Sequence, residues 1–324
     1  MDEHPEHRRL LAALAAAELH ELLERSGADQ DALELGRQAS ALGFEDLVQR
    51  ARLLYADIVR YAGQNAPAAV IERNVLQWAQ SHGDQYLLAR AHRQHSSFYR
   101  YVGDASAALE HAVAAVDGQP DDVPLRMRAD HLLCLGLAYG GIGSSDAARD
   151  RFLSVLAIAD ELGDQVLAVS TLNNLAYLEF LIGRSDRSLH FAQALTARAQ
   201  AHGLTLSAAT LDTVAHAQLS SGDFEAAERT LHTALHGPTG LAQLDDSAGL
   251  TLTLAQCQRQ RGDLEAARRS LASAWDQCGE RDLGYLRARL VEEQAALAAA
   301  AGDYREAYQR HQEFHRLEAQ QASD

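Results

Sequence analysis

The stretch SSGDFEAAERTLHTAL, residues 220–235, decides the fold, because the chain writes it again. QRGDLEAARRSLASAW stands at 260–275 and AAGDYREAYQRHQEFH at 300–315, with Gly, Asp and Ala kept while most other positions change. Extended backwards, Gly63, Gly103, Gly143, Gly183, Gly222, Gly262 and Gly302 form a series spaced by 40, 40, 40, 39, 40 and 40 residues. A second series, Gly43, Gly83, Gly163 and Gly203, runs half a period out of phase. Its missing member is replaced by DGQPDDVP (117–124), where proline breaks the helix instead. Gly27 stands outside the period and opens an irregular N-terminal unit.

This punctuation leaves segments of about 16 to 18 residues whose apolar spacing is helical. Glycine suits the marks because the residue after a helix turns left-handed, which a Cβ resists. Asp223, Asp263 and Asp303 follow as N-caps, accepting the free amides of the next helix. Two small-residue series mark close helix crossings. Ala108, Ala148, Ser188, Ala227, Ala267 and Ala307 lie five after the glycine, and Ser96, Gly136, Ala176, Ala215, Ala255 and Ala295 seven before it. Self-similarity at a fixed period of two helices predicts an all-α, right-handed superhelical solenoid of about eight pairs. The expected pairs are 6–42, 44–82, 84–117, 122–162, 164–202, 204–237, 243–278 and 281–320. We read 1–324 as one domain: an irregular unit 1–43, regular units 44–302 and a capping or connecting helix 303–324. HGPTGLAQLDDSAG (236–249) is expected as the longest loop.

Composition agrees. Apolar residues make up 47%, dominated by Ala and Leu, with only 7 Phe and 2 Trp, which favours helix over strand. Lysine is absent, so all 29 cations are arginines, and the net charge is -16. So acidic a surface repels a phosphate backbone, and nucleic acid is not an expected partner. Cys134, Cys257 and Cys278 lack metal-type spacing and are expected as buried thiols in a reducing compartment. The N-terminal stretch, interrupted by Glu18, His20 and Glu21, reads as neither a signal peptide nor a membrane span, so the expected location is cytoplasmic.

No P-loop, GxSxG, HExxH or CxxC occurs, so no catalytic residues, cofactor or enzymatic activity are expected. His232/His236 and His311/His315 each share a helix face, but no third ligand stands at a convincing spacing, and no metal site is expected from sequence.

The chain resembles the tetratricopeptide-repeat family. Leu135-Gly136 with Tyr139 matches the first helix of the family's unit, and the glycine, aromatic and alanine of GDFEAA and GDYREA match the opening of the second. The usual unit has 34 residues; this one is longer by about one to two helical turns per pair, lacks the terminal proline and uses Ala where larger apolar residues are common. The resemblance implies that first helices line a concave groove, at positions 13, 10, 9, 6, 3 and 2 before each glycine. Those positions hold Arg50, Asp57, Arg60 and Tyr61, then Arg90, Arg93, Gln94, Ser97, Arg100 and Tyr101. Leu133 and Leu137 follow, then Ser170, Asn173, Asn174, Tyr177 and Phe180, then Asp212, Thr213 and His216, then Gln256 and Arg259. Five arginines and two tyrosines thus gather on the first stretch of the implied wall. Arginine forks grip carboxylates or phosphates bidentately; the alternative is a solvated face whose arginines pair with neighbouring Glu and Asp. Asn173 and Asn174 could hold an extended peptide by their amides. The carboxylate clamp of chaperone-binding members is not matched, since Leu133, Leu137, Ala209 and Thr213 stand where its charged or polar groups are needed.

Two long-repeat groups are similar: bacterial intracellular peptide receptors, through LNNLAYLEF before its glycine turn, and sensor arrays that precede a diguanylate cyclase, phosphodiesterase or kinase module, through the helical tail after Gly302. That tail either continues into an output domain or caps the repeat. The resemblance implies a non-enzymatic regulatory module in bacterial signalling. It would bind a peptide or small anionic ligand in its groove and relay it to an output domain or separate partner. The alternative is a protein–protein scaffold with no small ligand. Leu10, Leu11 and Leu14 are expected either to support homodimerisation through a terminal pair or to form an N-terminal cap.

Overall fold

The computed structural model describes residues 4–18, 26–237, 244–278 and 284–321, and the described elements are all α-helices. They fall into two compact units, one ending at Gly163 and one beginning at Asp164. The first holds α1 (Pro5–Ala17), α2 (Ala28–Ala41), α3 (Glu45–Tyr61), α4 (Asn65–His82), α5 (Gln85–Tyr101), α6 (Ala105–Asp117), α7 (Leu125–Gly141) and α8 (Ser145–Leu162). The second holds α9 (Gln165–Leu181), α10 (Ser185–Ala201), α11 (Ala208–Ser220), α12 (Phe224–His236), α13 (Leu244–Arg261), α14 (Leu264–Cys278), α15 (Gly284–Ala300) and α16 (Tyr304–Gln321). Within each unit, consecutive helices pack as hairpins, and first helices of neighbouring pairs also touch, α3 on α5 and α5 on α7 in the first unit.

The glycine punctuation is real backbone chemistry. Among the described residues the positive-φ positions are Gly27 and the members of the two series, and no non-glycine residue takes positive φ. Gly163, at φ 67°, ends α8 and hands over to Asp164, whose Oδ1 accepts from the Leu167 amide at 2.9 Å. Asp223, Asp263 and Asp303 cap likewise at 3.0–3.1 Å. Two boundaries differ from expectation. The helix after Gly203 starts only at Ala208, where Ser207 supplies the cap. Of the stretch expected as loop, 238–243 lie outside the described residues, and α13 runs from Leu244 where the loop was expected to reach 249, close to the start at 243 expected for the pair.

Both small-residue series are buried over most of their length. Ser96, Ala108, Ala148, Ala176, Ser188, Ala215, Ala227, Ala255 and Ala267 are each fully buried. The pairing is direct at one crossing, where Ser188 Oγ donates to the Ala176 carbonyl at 2.9 Å. At another, a Cβ on Gly136 would stand 2.6 Å from the Phe152 ring. Leu10 and Leu14 are fully buried against α2 and α3, with Ala32, Leu47, Leu54 and Ile58. They pack as the N-terminal cap, the second of the two roles considered from sequence. The three cysteines are free and buried, as expected.

Replacing Gly136 by Ala is expected to cost about 1–3 kcal/mol by overpacking against Phe152. The same substitution in a Phe152→Leu background should cost at least about 1 kcal/mol less, because the clash and its partner are coupled. Urea unfolding of the four proteins checks this; equal costs in both backgrounds would place the strain elsewhere.

Candidate functional site: the first-helix wall

In the first unit, α3, α5 and α7 bring the expected wall residues around one pocket of about 220 Å³. Tyr61, Arg90, Arg93, Ser97, Arg100, Leu133 and Leu137 line it, joined by Glu18, Asp57, Met127, Asp130 and Cys134. The arginines do not face it as free forks. Arg50 donates to both oxygens of Glu18, at 2.7 and 2.6 Å, and its guanidinium lies 4.4 Å from the centre of the Tyr86 ring. Arg90 donates to the same carboxylate and stands 3.7 Å from Asp57. Arg93 grips Asp57 at 2.9 Å to each oxygen. Tyr86 completes the lattice, donating its hydroxyl to Glu18 at 3.2 Å. The alternative weighed from sequence, arginines paired with neighbouring carboxylates, therefore describes Arg50, Arg90 and Arg93.

Two expected wall residues face the packing instead. Arg60 turns to the fully buried Glu72 on α4. Gln94 is itself fully buried, its Nε2 donating to the Leu53 carbonyl at 3.1 Å. Arg100 is different. It is an exposed residue of the wall and has no carboxylate partner among the described residues. Tyr61 and Tyr101 are exposed at 50% and 70%, so both present ring surface to solvent.

Glu18, held by two arginines, differs in ionisation from Glu72 and Glu293. Burial by itself would raise Glu18, yet Arg90 and Arg50 together outweigh it and hold the carboxyl below the ordinary value. Glu72 and Glu293 are as buried but each has one arginine, Arg60 and Arg259, and burial keeps both raised. Burial pushes the Tyr86 hydroxyl up to about 12. His131, buried beneath the lattice, is held down at about 3 by burial and by Arg93 and Arg90.

In the second unit, Asn173 and Asn174 are half-buried on α9, and Asn173 Oδ1 is a buried acceptor without a partner. Tyr177 is 46% exposed on the same helix, so its ring remains reachable. His216 is buried rather than open: Phe180 stacks on it at 4.7 Å, Asp212 stands 3.6 Å away and Thr253 Oγ1 3.4 Å away. Arg259, another wall position, is bidentate to Glu293 at 2.6 and 3.2 Å.

No protein-family model and no curated protein matches the chain. Solved structures do. A Rap protein complexed with competence and sporulation factor is 13% identical, with TM-score 0.69 over 98% of this chain and 99% of that one. A tetratricopeptide repeat protein from Parabacteroides merdae is 16% identical, with TM-score 0.52 over 89% of this chain and 98% of that one. The chain has the tetratricopeptide-repeat fold. A signal-transduction ATPase from Pyrococcus horikoshii with a tetratricopeptide-repeat sensor adds a TM-score of 0.64 at 15% identity, over 97% of this chain and 52% of that one.

The lattice predicts a pH-dependent cost. Glu18, with its depressed pKa, contributes stability that is complete above the ordinary carboxylate range and is lost as pH falls through its folded-state value. Glu18→Gln leaves two buried guanidinium groups short of a charge and should cost about 3 kcal/mol at neutral pH. In acid below the folded-state pKa the gap to wild type should close, and denaturant midpoints measured at both extremes check the sign.

Proposed function

We propose that this chain is a non-enzymatic regulatory module that binds an extended peptide or protein segment on its first-helix wall, in bacterial signalling, and passes occupancy to an output domain or separate partner. One observation carries the reading. Three successive first helices in the first unit share a pocket where Arg90 and Arg93 are satisfied internally, leaving apolar lining and, among the described residues, Arg100 without a carboxylate partner. Met127, Leu133 and Leu137 suit an apolar side chain, the exposed ring of Tyr61 suits a flat one, and Arg100 suits a carboxylate. A small, highly charged anion is less well served than it seemed from sequence, because Glu18, Asp57 and Asp130 line the same pocket. The fold supports the reading by analogy: one similar structure is complexed with a factor and another is a sensor.

Selection from a phage-displayed peptide library tests it. Peptides carrying an acidic residue beside an apolar one should be enriched on the wild-type protein. A Tyr61→Ala/Arg100→Ala variant should bind them at least about tenfold more weakly, since it loses a charge-assisted hydrogen bond and a ring contact. Both side chains are exposed, so the variant should melt with wild type. No enrichment above background, or equal binding by the variant, would overturn the assignment.

A further inference from the structure

Sequence spacing makes the two i, i+4 histidine pairs equivalent; the structure separates them. In His232/His236 the ring centroids are 6.0 Å apart and the rings lie nearly parallel. In His311/His315, on α16, the centroids are 4.4 Å apart, the rings stand at 77°, and the two Nε2 atoms face each other at 3.1 Å. Behind them, His315 Nδ1 donates to Glu318 Oε2 at 3.2 Å. That bond fixes the proton on Nδ1 and leaves His315 Nε2 with its lone pair turned toward His311.

We propose that His311 Nε2 and His315 Nε2 chelate one late first-row divalent cation, of the nickel, copper or zinc class, with Glu318 orienting His315 from behind. The nitrogen separation suits a chelate once the two exposed rings tilt toward one ion. With metal–nitrogen bonds of about 2.05 Å, nitrogens 3.1 Å apart subtend roughly 98° at the ion, between the square and tetrahedral angles. Imidazole is a preferred donor for these ions, and a carboxylate on the far nitrogen is the usual support for a ligating histidine. The proton balance is simple. In the metal-free pair His311 Nε2–H donates to His315 Nε2; on binding, solvent moves that proton to His311 Nδ1, both Nε2 lone pairs become free, and the ion sits about 1.3 Å to the side of the nitrogen–nitrogen line. Both histidines and Glu318 are exposed, at 60% and 53% for His315 and Glu318, so the ion has an open approach and water completes its coordination. Among the described residues no three His, Cys, Asp or Glu side chains converge as a metal site, so a two-nitrogen chelate is the arrangement offered here. His92 and His111 also meet, Nδ1 to Nδ1 at 2.8 Å, but half-buried and with Tyr99 stacked on His111, which closes the approach.

Copper(II) titrated into the full chain, followed by calorimetry and by electron paramagnetic resonance, tests the site. Wild type should take up one tight equivalent with hyperfine structure from two imidazole nitrogens. His315→Ala and His311→Ala should each lose at least tenfold in affinity, with the signal of a single nitrogen or none, and Glu318→Ala should weaken binding by about tenfold with both nitrogens kept. The His232→Ala/His236→Ala and His92→Asn variants should retain wild-type uptake and spectrum. A tight equivalent that survives in His315→Ala, or that is lost in either control, would overturn the assignment.

Discussion

Close approach of helix backbones at small side chains is the constraint on which the rest depends. At one hairpin Ser188 bonds the Ala176 carbonyl, and at another a Cβ on Gly136 would strike the Phe152 ring, so a larger group at these crossings would push the helices apart. Tight crossing in each unit repeats the same offset, so equivalent positions on successive first helices fall into one row. The row makes a wall, and residues scattered about 40 apart in sequence become neighbours.

That geometry explains the arginines. A chain of charge -16 without lysine uses guanidinium forks to hold carboxylates, Arg50 and Arg259 each with two nitrogens on one carboxylate and Arg90 bridging two, which an ammonium does poorly. Arg50, Arg90 and Arg93 with Glu18 and Asp57 tie α1, α3 and α5 together, and Tyr86 covers the charge with its ring and donates its hydroxyl. Desolvation alone would make such buried charges unfavourable. Two arginines on one carboxylate reverse the balance at Glu18, whereas a single arginine does not at Glu72 or Glu293. The wall is thereby cross-linked beneath, with Arg100, Tyr61 and Tyr101 exposed to solvent in the first unit.

The fold was legible because its signals are local: glycine where φ turns positive, aspartate where an amide needs a cap, alanine where axes cross. The wall was legible in part. Counting from each glycine places Tyr61, Arg93, Ser97 and Leu137 around one pocket. It does not reveal what each arginine holds, because partners lie on other helices: Arg93 to Asp57 spans 36 residues and Arg259 to Glu293 spans 34. A signal for them exists, since a charge one period away, less about one helical turn, sits opposite on the next first helix. Glu18, which takes two of the arginines, lies outside the regular repeat at the end of α1, and no periodic count finds it. Gln94 and Arg60 share the spacing of the wall yet turn inward, since a row position fixes the helix face and not the rotamer.

The division between arginines paired within the wall and Arg100, which we propose faces a ligand, is the central claim, and unfolding of Arg93→Ala beside Arg100→Ala tests it most directly. Arg93→Ala strips Asp57 of its bidentate partner inside the wall and should cost roughly 2–4 kcal/mol. Arg100→Ala removes an exposed cation without an ion-pair partner and should stay within about 0.5 kcal/mol of wild type. Equal costs, or a larger loss at Arg100, would contradict the account.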